Sequence, residues 1–340
     1  MKPWYECDTP CILAHQQPAV LIDLALTRGI DSHRLLRGTG FFYEDILAGK
    51  LHIAPRQCYQ LLTNIRRLLP SDDTSFLMGH RLFPGNCGAA SSALLNAKDL
   101  QQALELLTRY RLLLTPLIAP RLHYDADFLY IYWQDTCGAN SEWPFLMEMI
   151  TTALTSLSRW LSGQSLPWRY YFSHHQPRYI EQYQVHLGDH LAFNSHMDAM
   201  VIAREYLHTP WINASPSAVI LAQRDADAQL AEIGLEGGFL ERLYCHLLHN
   251  IQRPTSLDQV AASFGMSSAT LKRKLGKHQS HFQAQYDQVR KCLALYLINR
   301  QGWSNEQVAS HLHFHDANNL RRAFKRWTGV TPTVLKAFTL

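Results

Sequence analysis

The chain has 340 residues, of which 47% are hydrophobic and 18% are charged, and its formal net charge at pH 7 is +4. These proportions are typical of a globular protein and exclude a disordered one. Because the sequence has neither an apolar run of 18 residues nor a basic start followed by an apolar core, it predicts no membrane span and no secretory signal, and we expect a cytoplasmic protein.

Residues 18–114 are predicted to be mostly helical. Apolar residues recur three or four positions apart in the segments AVLIDLALTRGI, APRQCYQLLTNIRRLL and KDLQQALELLTRYRLLL. Two strand-like runs follow, PLIAPRLHYD and DFLYIYW, with turn-forming residues between them. They predict a β-hairpin.

Candidate ligand-binding residues fall in this region. Tyr130 and Tyr132 alternate onto one face of their strand, and Arg111 precedes them on a helix. One interpretation is an aromatic pocket with a single cation for a carboxylate. The other, which is the commoner case, is that both tyrosines are half-buried structural residues.

The middle of the chain continues the mixed pattern. A long helix is predicted over residues 142–161, and the segments WRYYFSH, YQVHL, LAFN and AMVIA are predicted as short strands. Helical character returns with SAVILAQRDADAQLAEI, and two adjacent glycines in GLEGG mark a boundary. The sequence therefore predicts an α+β domain over residues 1–233, a linker over 234–238 and an all-α domain over 239–340.

The C-terminal part carries the positive charge. Residues 238–340 contain 14 Lys and Arg but 5 Asp and Glu, whereas residues 1–237 contain 18 Lys and Arg and 23 Asp and Glu. This division predicts that the C-terminal part meets a polyanion.

One pattern occurs twice in this part. Ser256-Leu-Asp-Gln259 and Ser304-Asn-Glu-Gln307 lie forty-eight positions apart, and each is a capping box that starts a short helix. A tight turn then leads to a second capped helix, which starts at Ser267 or at Asp316. The repeat predicts two tandem helix-turn-helix units.

The second helix of each unit is predicted to have an apolar side and a basic side. At 100° per residue, Leu271 and Leu275 fall opposite Ala269, Lys272 and Arg273 in the first unit. In the second unit, Leu320, Phe324 and Trp327 fall opposite a polar set that contains Asn318, Arg321, Arg322 and Lys325.

Such polar faces suit the major groove of double-stranded DNA. Arg can bind guanine and Asn can bind adenine through two hydrogen bonds each, and Ala can contact the thymine methyl. A solvated basic face is the alternative for any single helix, but the recurrence on two capped helix pairs favours DNA. The segment HFQAQYDQVRKCLALYLINR is predicted to be a rigid spacer that places both helices in successive major grooves, about 34 Å apart.

The C-terminal region closely resembles the DNA-binding domain of the AraC/XylS family of bacterial transcription regulators. VAASFGMSSATLKRKL, VRKCLALYLI and HLHFHDANNLRRAFKRWTGVTP appear in the family's order, and the resemblance covers residues 239–337. It implies base contacts by Ala269, Lys272 and Arg273 and by Ala317, Asn318, Asn319, Arg321 and Arg322. It also implies RNA polymerase as a partner.

Two positions depart from the family pattern. His313 stands where the family usually has Gly, and Leu320 stands where it usually has an aromatic residue. His313 is expected to strain or reshape the turn of the second unit. His311, His313 and His315 alternate, but no Cys or carboxylate ligand set surrounds them, so no metal site is predicted.

Residues 18–216 resemble, more weakly, the arabinose-binding-like sensor domain of the ornithine-utilisation regulators within this family. The resemblance rests on KDLQQALELLTRYRLLLTP, FSHHQP and LGDHLAFNSHMDAMVIAREYL. It implies a small-molecule effector and a homodimer.

The sequence does not indicate an enzyme. It contains no G-x-S-x-G, G-x-x-x-x-G-K, G-x-G-x-x-G or H-E-x-x-H motif, and it predicts no cofactor. Two alternatives to an effector-controlled regulator stay open, which are an N-terminal domain that binds a partner protein and an enzyme that uses the basic domain to localise on nucleic acid.

Overall fold

The computed structural model describes residues 3–253 and 255–332. The chain forms two compact units, and the division falls between Phe239 and Leu240. Among the described residues, no helix has both the length and the hydropathy needed to cross a membrane.

The N-terminal unit is α+β, as predicted. Its helices are α1 Gln17–Thr27, α2 Ser32–Leu35, α3 Tyr43–Leu47, α4 Pro55–Leu68, α5 Thr74–Leu82, α6 Gly88–Leu95, α7 Leu100–Arg109, α8 Arg111–Leu114, α9 Trp143–Ser162, α10 Ile180–Leu187 and α11 Pro216–Ile233. Its strands are β1 Ile12–Leu13, β2 His52–Ile53, β3 Ile118–Tyr124, β4 Phe128–Asp135, β5 Arg169–Tyr171, β6 Leu191–Ala192 and β7 Ala199–Ala203.

The strands form two sheets. β1 and β2 pair antiparallel, and the other five form a sheet in the order β3-β4-β7-β5-β6. The predicted hairpin is confirmed as β3 and β4, with Ile118 opposite Asp135 and Tyr124 opposite Leu129. β5 and β6 are parallel neighbours, while the other pairs in this sheet are antiparallel.

One strand prediction in this unit was wrong, and two short strands were missed. YQVHL is not a strand, because its residues lie in α10. Tyr183 and Leu187 are buried while Val185 is 70% exposed, so the two residues that face the core are four positions apart. The same three apolar residues also alternate, which is why they imitated a strand. The short strands β1 and β2 were not predicted, since two residues are too few to show alternation.

The core of the N-terminal unit is built around the long helix α9. Helix α5 packs so closely against it that a Cβ atom added to Gly79 would lie 2.5 Å from the Met149 carbonyl oxygen. Glycine at this position therefore allows two helix backbones to approach each other.

The last residues of the N-terminal unit are held by its first residues. The Tyr5 amide donates to the Gly237 carbonyl at 3.0 Å, and the Phe239 amide donates to the Tyr5 carbonyl at 2.8 Å. The Glu236 amide donates to the Pro3 carbonyl at 3.1 Å. Part of the glycine-rich segment is therefore paired as a short parallel bridge.

The described part of the C-terminal unit is helical, as predicted. Its helices are α12 Phe239–His249, whose first residue still belongs to the N-terminal unit, α13 Leu257–Ser263, α14 Ser268–Lys277, α15 Phe282–Asn299, α16 Asn305–His311 and α17 Ala317–Thr328. Residues 333–340 of the predicted C-terminal domain lie outside the described residues.

Candidate nucleic-acid interface

Both capping boxes of the sequence repeat are present in the structure. The Ser256 hydroxyl accepts from the Gln259 amide at 3.2 Å, and the Gln259 side chain accepts from the Ser256 amide at 2.9 Å. Ser304 and Gln307 repeat this arrangement at 3.2 and 2.8 Å. The boxes fix the starts of α13 and α16 by pairing amides that the first turn of a helix leaves free.

The second helices are capped where the sequence predicted. The Ser267 hydroxyl accepts from the Thr270 amide at 3.2 Å at the start of α14. The Asp316 carboxylate accepts from the Asn319 amide at 2.7 Å at the start of α17. That backbone hydrogen bond is the largest cause of the lowered pKa of Asp316.

The two turns share one backbone design. Gly265 has a φ of +68° and His313, forty-eight positions later, has a φ of +53°. In both turns the next amide returns to the first helix, from Met266 to the Ala261 carbonyl and from Phe314 to the Ala309 carbonyl. His313 thus adopts the left-handed conformation that glycine adopts in the first unit.

The His313 ring also makes a contact that glycine cannot make. Its Nε2 lies within hydrogen-bond distance of the Gln252 carbonyl oxygen, and the Gln252 side chain lies 3.1 Å from Nδ1 of His311. Both rings therefore connect the second helix-turn-helix unit to the loop after α12. Within the described residues, no group of three or more His, Cys, Asp or Glu could hold a metal ion.

The predicted apolar faces are buried. Leu271, Leu275, Leu320 and Phe324 are fully enclosed. Trp327 is half-buried, with its ring centroid 5.9 Å from that of Phe314.

The predicted DNA-contact residues lie mainly on the opposite, exposed faces. On α14 and α17 the exposed members are Ala269, Lys272, Arg273, Asn318, Arg321, Arg322 and Lys325, whereas Ala317 and Asn319 are half-buried. Lys272, Arg273, Arg322 and Lys325 form no ion pair within the described residues. Arg321 donates to the Asn318 side chain at 3.3 Å, so these two neighbours are held together on the surface of α17.

Two arginines that the sequence left without a role have structural contacts. Arg326 of RRAFKR forms an ion pair of 3.0 Å with Asp287 of α15. The Arg290 guanidinium lies 4.0 Å from the Tyr286 ring centroid and 4.6 Å from that of Phe314. The helix wheel places Arg326 beside the polar face of α17. It cannot predict the partner Asp287, which lies on a different helix.

The candidate ligand residues of the N-terminal unit lie in ordered contacts. Arg111 donates to the carbonyls of Thr108 at 3.1 Å and Glu236 at 2.8 Å. The Tyr130 and Tyr132 rings are stacked with centroids 6.2 Å apart, and the Tyr130 hydroxyl donates to Asp125 at 2.9 Å. Across the hairpin, the cation in register with Tyr132 is Arg121.

A polar cluster that the sequence did not predict surrounds Glu148 on α9. This carboxylate is 4% exposed and accepts from the hydroxyls of Ser75 at 2.6 Å, Tyr179 at 3.0 Å and Tyr183 at 2.5 Å. Burial, followed by the Glu148 charge, raises the pKa of both tyrosines well above the ordinary value. Three hydroxyl donors therefore satisfy the hydrogen-bonding capacity of this buried carboxylate.

The comparisons with known proteins agree with this geometry. Residues 29–211 match the model of the N-terminal arabinose-binding domain of AraC transcription regulators. The chain belongs to the AraC family of transcription regulators. Residues 260–337 of this AraC-family regulator match a helix-turn-helix domain, which confirms the resemblance seen in the sequence.

Two curated relatives and one solved structure are similar to this AraC-family regulator. The ornithine utilization regulator of Pseudomonas aeruginosa is 26% identical over 275 residues, covering 81% of each chain. An uncharacterised HTH-type transcriptional regulator of Mycobacterium tuberculosis is 34% identical over 80 residues, covering 24% of this chain and 23% of that one. The structure of the transcriptional regulator CdpR from Pseudomonas aeruginosa has a TM-score of 0.45 at 17% identity, and the match covers 94% of this chain and 98% of that one.

Proposed function

We propose that this transcription regulator binds specific DNA sequences by placing α14 and α17 in the major groove. Ala269, Lys272 and Arg273 read bases from α14. A second set reads bases from α17, namely Ala317, Asn318, Asn319, Arg321 and Arg322. Lys325 contacts a phosphate. Arg supplies a bidentate donor pair for guanine, Asn does so for adenine, and an Ala methyl fits beside thymine.

The observation that carries this proposal is that a set of exposed cations on α14 and α17 lacks ion-pair partners within the described residues. Lys272, Arg273, Arg322 and Lys325 are exposed and have no acidic partner within the described residues, whereas Arg326 is paired with Asp287. A cation without an internal partner can give its hydrogen bonds to a base or a phosphate without breaking an ion pair.

The spacer between the two units has a suitable length. Helix α15 contains 18 residues and is therefore about 27 Å long. One helical turn of DNA requires recognition helices about 34 Å apart along one face of the duplex. A rigid helix of this length supports the placement of α14 and α17 in two successive major grooves.

The N-terminal domain, residues 1–233, is proposed to bind a small effector and to support a homodimer, with residues 239–340 as the DNA-binding domain. The effector acts by binding more tightly to one of two states of the protein. The name of the relative from Pseudomonas aeruginosa makes ornithine one of the first compounds to test. We further propose a cytoplasmic regulator without enzymatic activity that acts together with RNA polymerase.

Selection from a random double-stranded DNA library tests the DNA-reading role of Arg273. The Arg273→Ala protein should lose preference at one position of the selected site, at a cost of about 1–3 kcal/mol against the wrong bases. Arg253→Ala removes the same charge from an exposed position outside the recognition helices and serves as the matched control. An unchanged base preference in Arg273→Ala would remove Arg273 from the reading face.

A further inference from the structure

A small cavity lies within the N-terminal unit, between α1, α4, α5 and α9. It has a volume of about 30 Å³ and is lined mainly by apolar side chains, which include Ile12, Leu21, Leu62, Leu117 and Met149. A second cavity of about 10 Å³ adjoins it and shares Ile12 and Gln17. About 10–15 Å³ of such volume is enough for one water, so the larger cavity has room for about two water-sized groups or for the end of a longer molecule.

Gln17 supplies an unused donor in the wall of both cavities. Its Nε2 atom is buried and has no hydrogen-bond partner in the described part of the chain. A buried amide donor normally finds an acceptor, because leaving it unpaired is unfavourable. A carbonyl or ether oxygen entering the cavity would provide that acceptor.

The cavities are neutral. The described residues that line them include no Asp, Glu, Lys, Arg or His. Burial raises the pKa of the Cys11 thiol to about 12 and that of Cys58 still further, so both lining thiols stay uncharged at neutral pH. An ionised group placed here would lose its hydration without gaining a partner.

The larger cavity is connected to the last residues of the N-terminal unit through hydrogen bonds of Pro116 and Tyr5. Pro116 lines the cavity, and its carbonyl accepts from the hydroxyls of Tyr5 at 2.6 Å and Thr136 at 2.8 Å. Tyr5 in turn holds the backbone of Gly237 and Phe239. A molecule that moves Pro116 would therefore move the anchor of the segment that continues into α12.

We propose that this cavity is the effector site, and that it takes a small uncharged, mainly aliphatic molecule with one hydrogen-bond acceptor directed at Gln17. This inference rests on the proposed effector control of DNA binding and assigns the site and chemical class of that effector. It predicts that ornithine, which is charged at neutral pH, does not occupy this cavity. It differs from the candidate group of Arg111, Tyr130 and Tyr132, because the Arg111 guanidinium is engaged by two backbone carbonyls.

The test uses methyl ketones of three to six carbons as probes, with butylamine and butyrate as charged counterparts. The melting temperature of the purified full chain should rise with ketone concentration and with ketone length until the cavity is full, since binding to the folded state stabilises it. The charged counterparts should cause no comparable rise. An equal response to butylamine or butyrate would overturn the uncharged class.

Gln17→Leu separates a ligand contact from a structural role. Without ketone, the variant should be at least as stable as the wild type, because it replaces an unpaired buried amide by an apolar group of similar length. Its ketone affinity should be about fivefold weaker, the effect of losing one hydrogen bond. Gln184→Leu, an exposed position on α10, is the matched control.

A second variant, Leu21→Phe, fills the cavity and should abolish the ketone response. If that protein does not fold, Gln17→Leu decides alone. No shift with any ketone, or an unchanged shift in Gln17→Leu, would overturn the site. Ketone binding that leaves the affinity for DNA unaltered would overturn its assignment as the effector site.

The same protein samples distinguish a failure of the cavity assignment from a failure of the proposed DNA-binding function. Preference for a selected DNA sequence over random DNA is measured without ketone and does not depend on the cavity. Loss of that preference would contradict the proposed function, whereas a lost ketone response with intact preference would contradict only the cavity assignment.

Discussion

Tyr5 and Pro116 are 111 residues apart in the sequence, and the Tyr5 hydroxyl donates a hydrogen bond of 2.6 Å to the Pro116 carbonyl. Tyr5 is 2% exposed, and its backbone pairs with Gly237 and Phe239. The segment around Tyr5 therefore helps to hold the backbone of residues 236–239 at the end of the N-terminal unit.

Removing the Tyr5 hydroxyl should loosen this segment. We expect Tyr5→Phe to lower the free energy of unfolding by about 1 kcal/mol, the usual net value of one hydrogen bond. Hydrogen exchange at the Glu236 and Phe239 amides should become faster, because both amides donate to the N-terminal segment. Tyr124→Phe, which removes a partly exposed hydroxyl, is the control. Unchanged exchange at both amides would contradict the anchor.

Gly79 and Gly276 should respond oppositely to alanine. The Cβ atom of Gly79→Ala would lie 2.5 Å from the Met149 carbonyl oxygen, so α5 and α9 must separate, at a cost of about 1–3 kcal/mol. Gly276 lies within α14 with no atom within 4 Å of the added Cβ. Gly276→Ala should stabilise by about 0.5–1 kcal/mol. Chemical denaturation measures both changes, and equal signs would contradict the packing described for α5 and α9.

The left-handed conformation of His313 gives a further prediction. A side chain in this conformation costs roughly 1–2 kcal/mol relative to glycine. His313→Gly and His313→Ala both lose the contact with Gln252, so their difference isolates the backbone term. His313→Gly should be more stable than His313→Ala by about 1 kcal/mol, as measured by denaturant unfolding. Equal stabilities would show that the turn changes conformation in one of the variants.

Stability should fall in mildly acidic solution because of three histidines in the N-terminal unit. Burial lowers the pKa of His80, His174 and His186 below the ordinary value of 6.5. The unfolded chain therefore binds protons first as the pH falls, and the free energy of unfolding should decrease as the pH falls through the ordinary histidine pKa of 6.5.

The His174 contribution can be isolated with one variant. His174 lies 2.8 Å from the Tyr183 hydroxyl through Nε2, and its buried Nδ1 has no partner in the described residues. His174→Gln removes the titrating ring, so the decrease with falling pH should be smaller. A variant profile as steep as that of the wild type would contradict the His174 contribution.

Lys325 should act on all DNA sequences alike. If it binds a phosphate, Lys325→Ala weakens specific and random DNA by the same factor and reduces the slope of log affinity against log salt by about 0.9. Filter binding at several salt concentrations measures both quantities, with Arg253→Ala as the control. A loss confined to one base position would assign Lys325 to base reading.

The sequence predicted the C-terminal helices well because their signals are local. Ser256 with Gln259, and Ser304 with Gln307, specify helix starts within four residues, and Leu271 and Leu320 lie on the apolar faces. The pairing of Arg326 with Asp287 was not predictable in this way, since it depends on how α17 meets α15.

The N-terminal unit was less predictable because its contacts are distant in sequence. Tyr5 pairs with Gly237, and the donors to Glu148 come from two segments distant in sequence, α5 and the start of α10. The alternation of Tyr183, Val185 and Leu187 also fits a helix, and only packing on one side decided between them. The unpaired Gln17 side-chain amide could not be predicted from the sequence, because its burial depends on the helices that surround the cavity.

The most direct test of DNA recognition is to incubate the full-length protein with sheared genomic DNA of its source, at near-physiological salt, and to sequence the retained fragments. We expect a small set of fragments that share a motif with two elements about one helical turn apart. Equal retention of all fragments would contradict sequence-specific recognition by α14 and α17 and would leave only a basic helical domain.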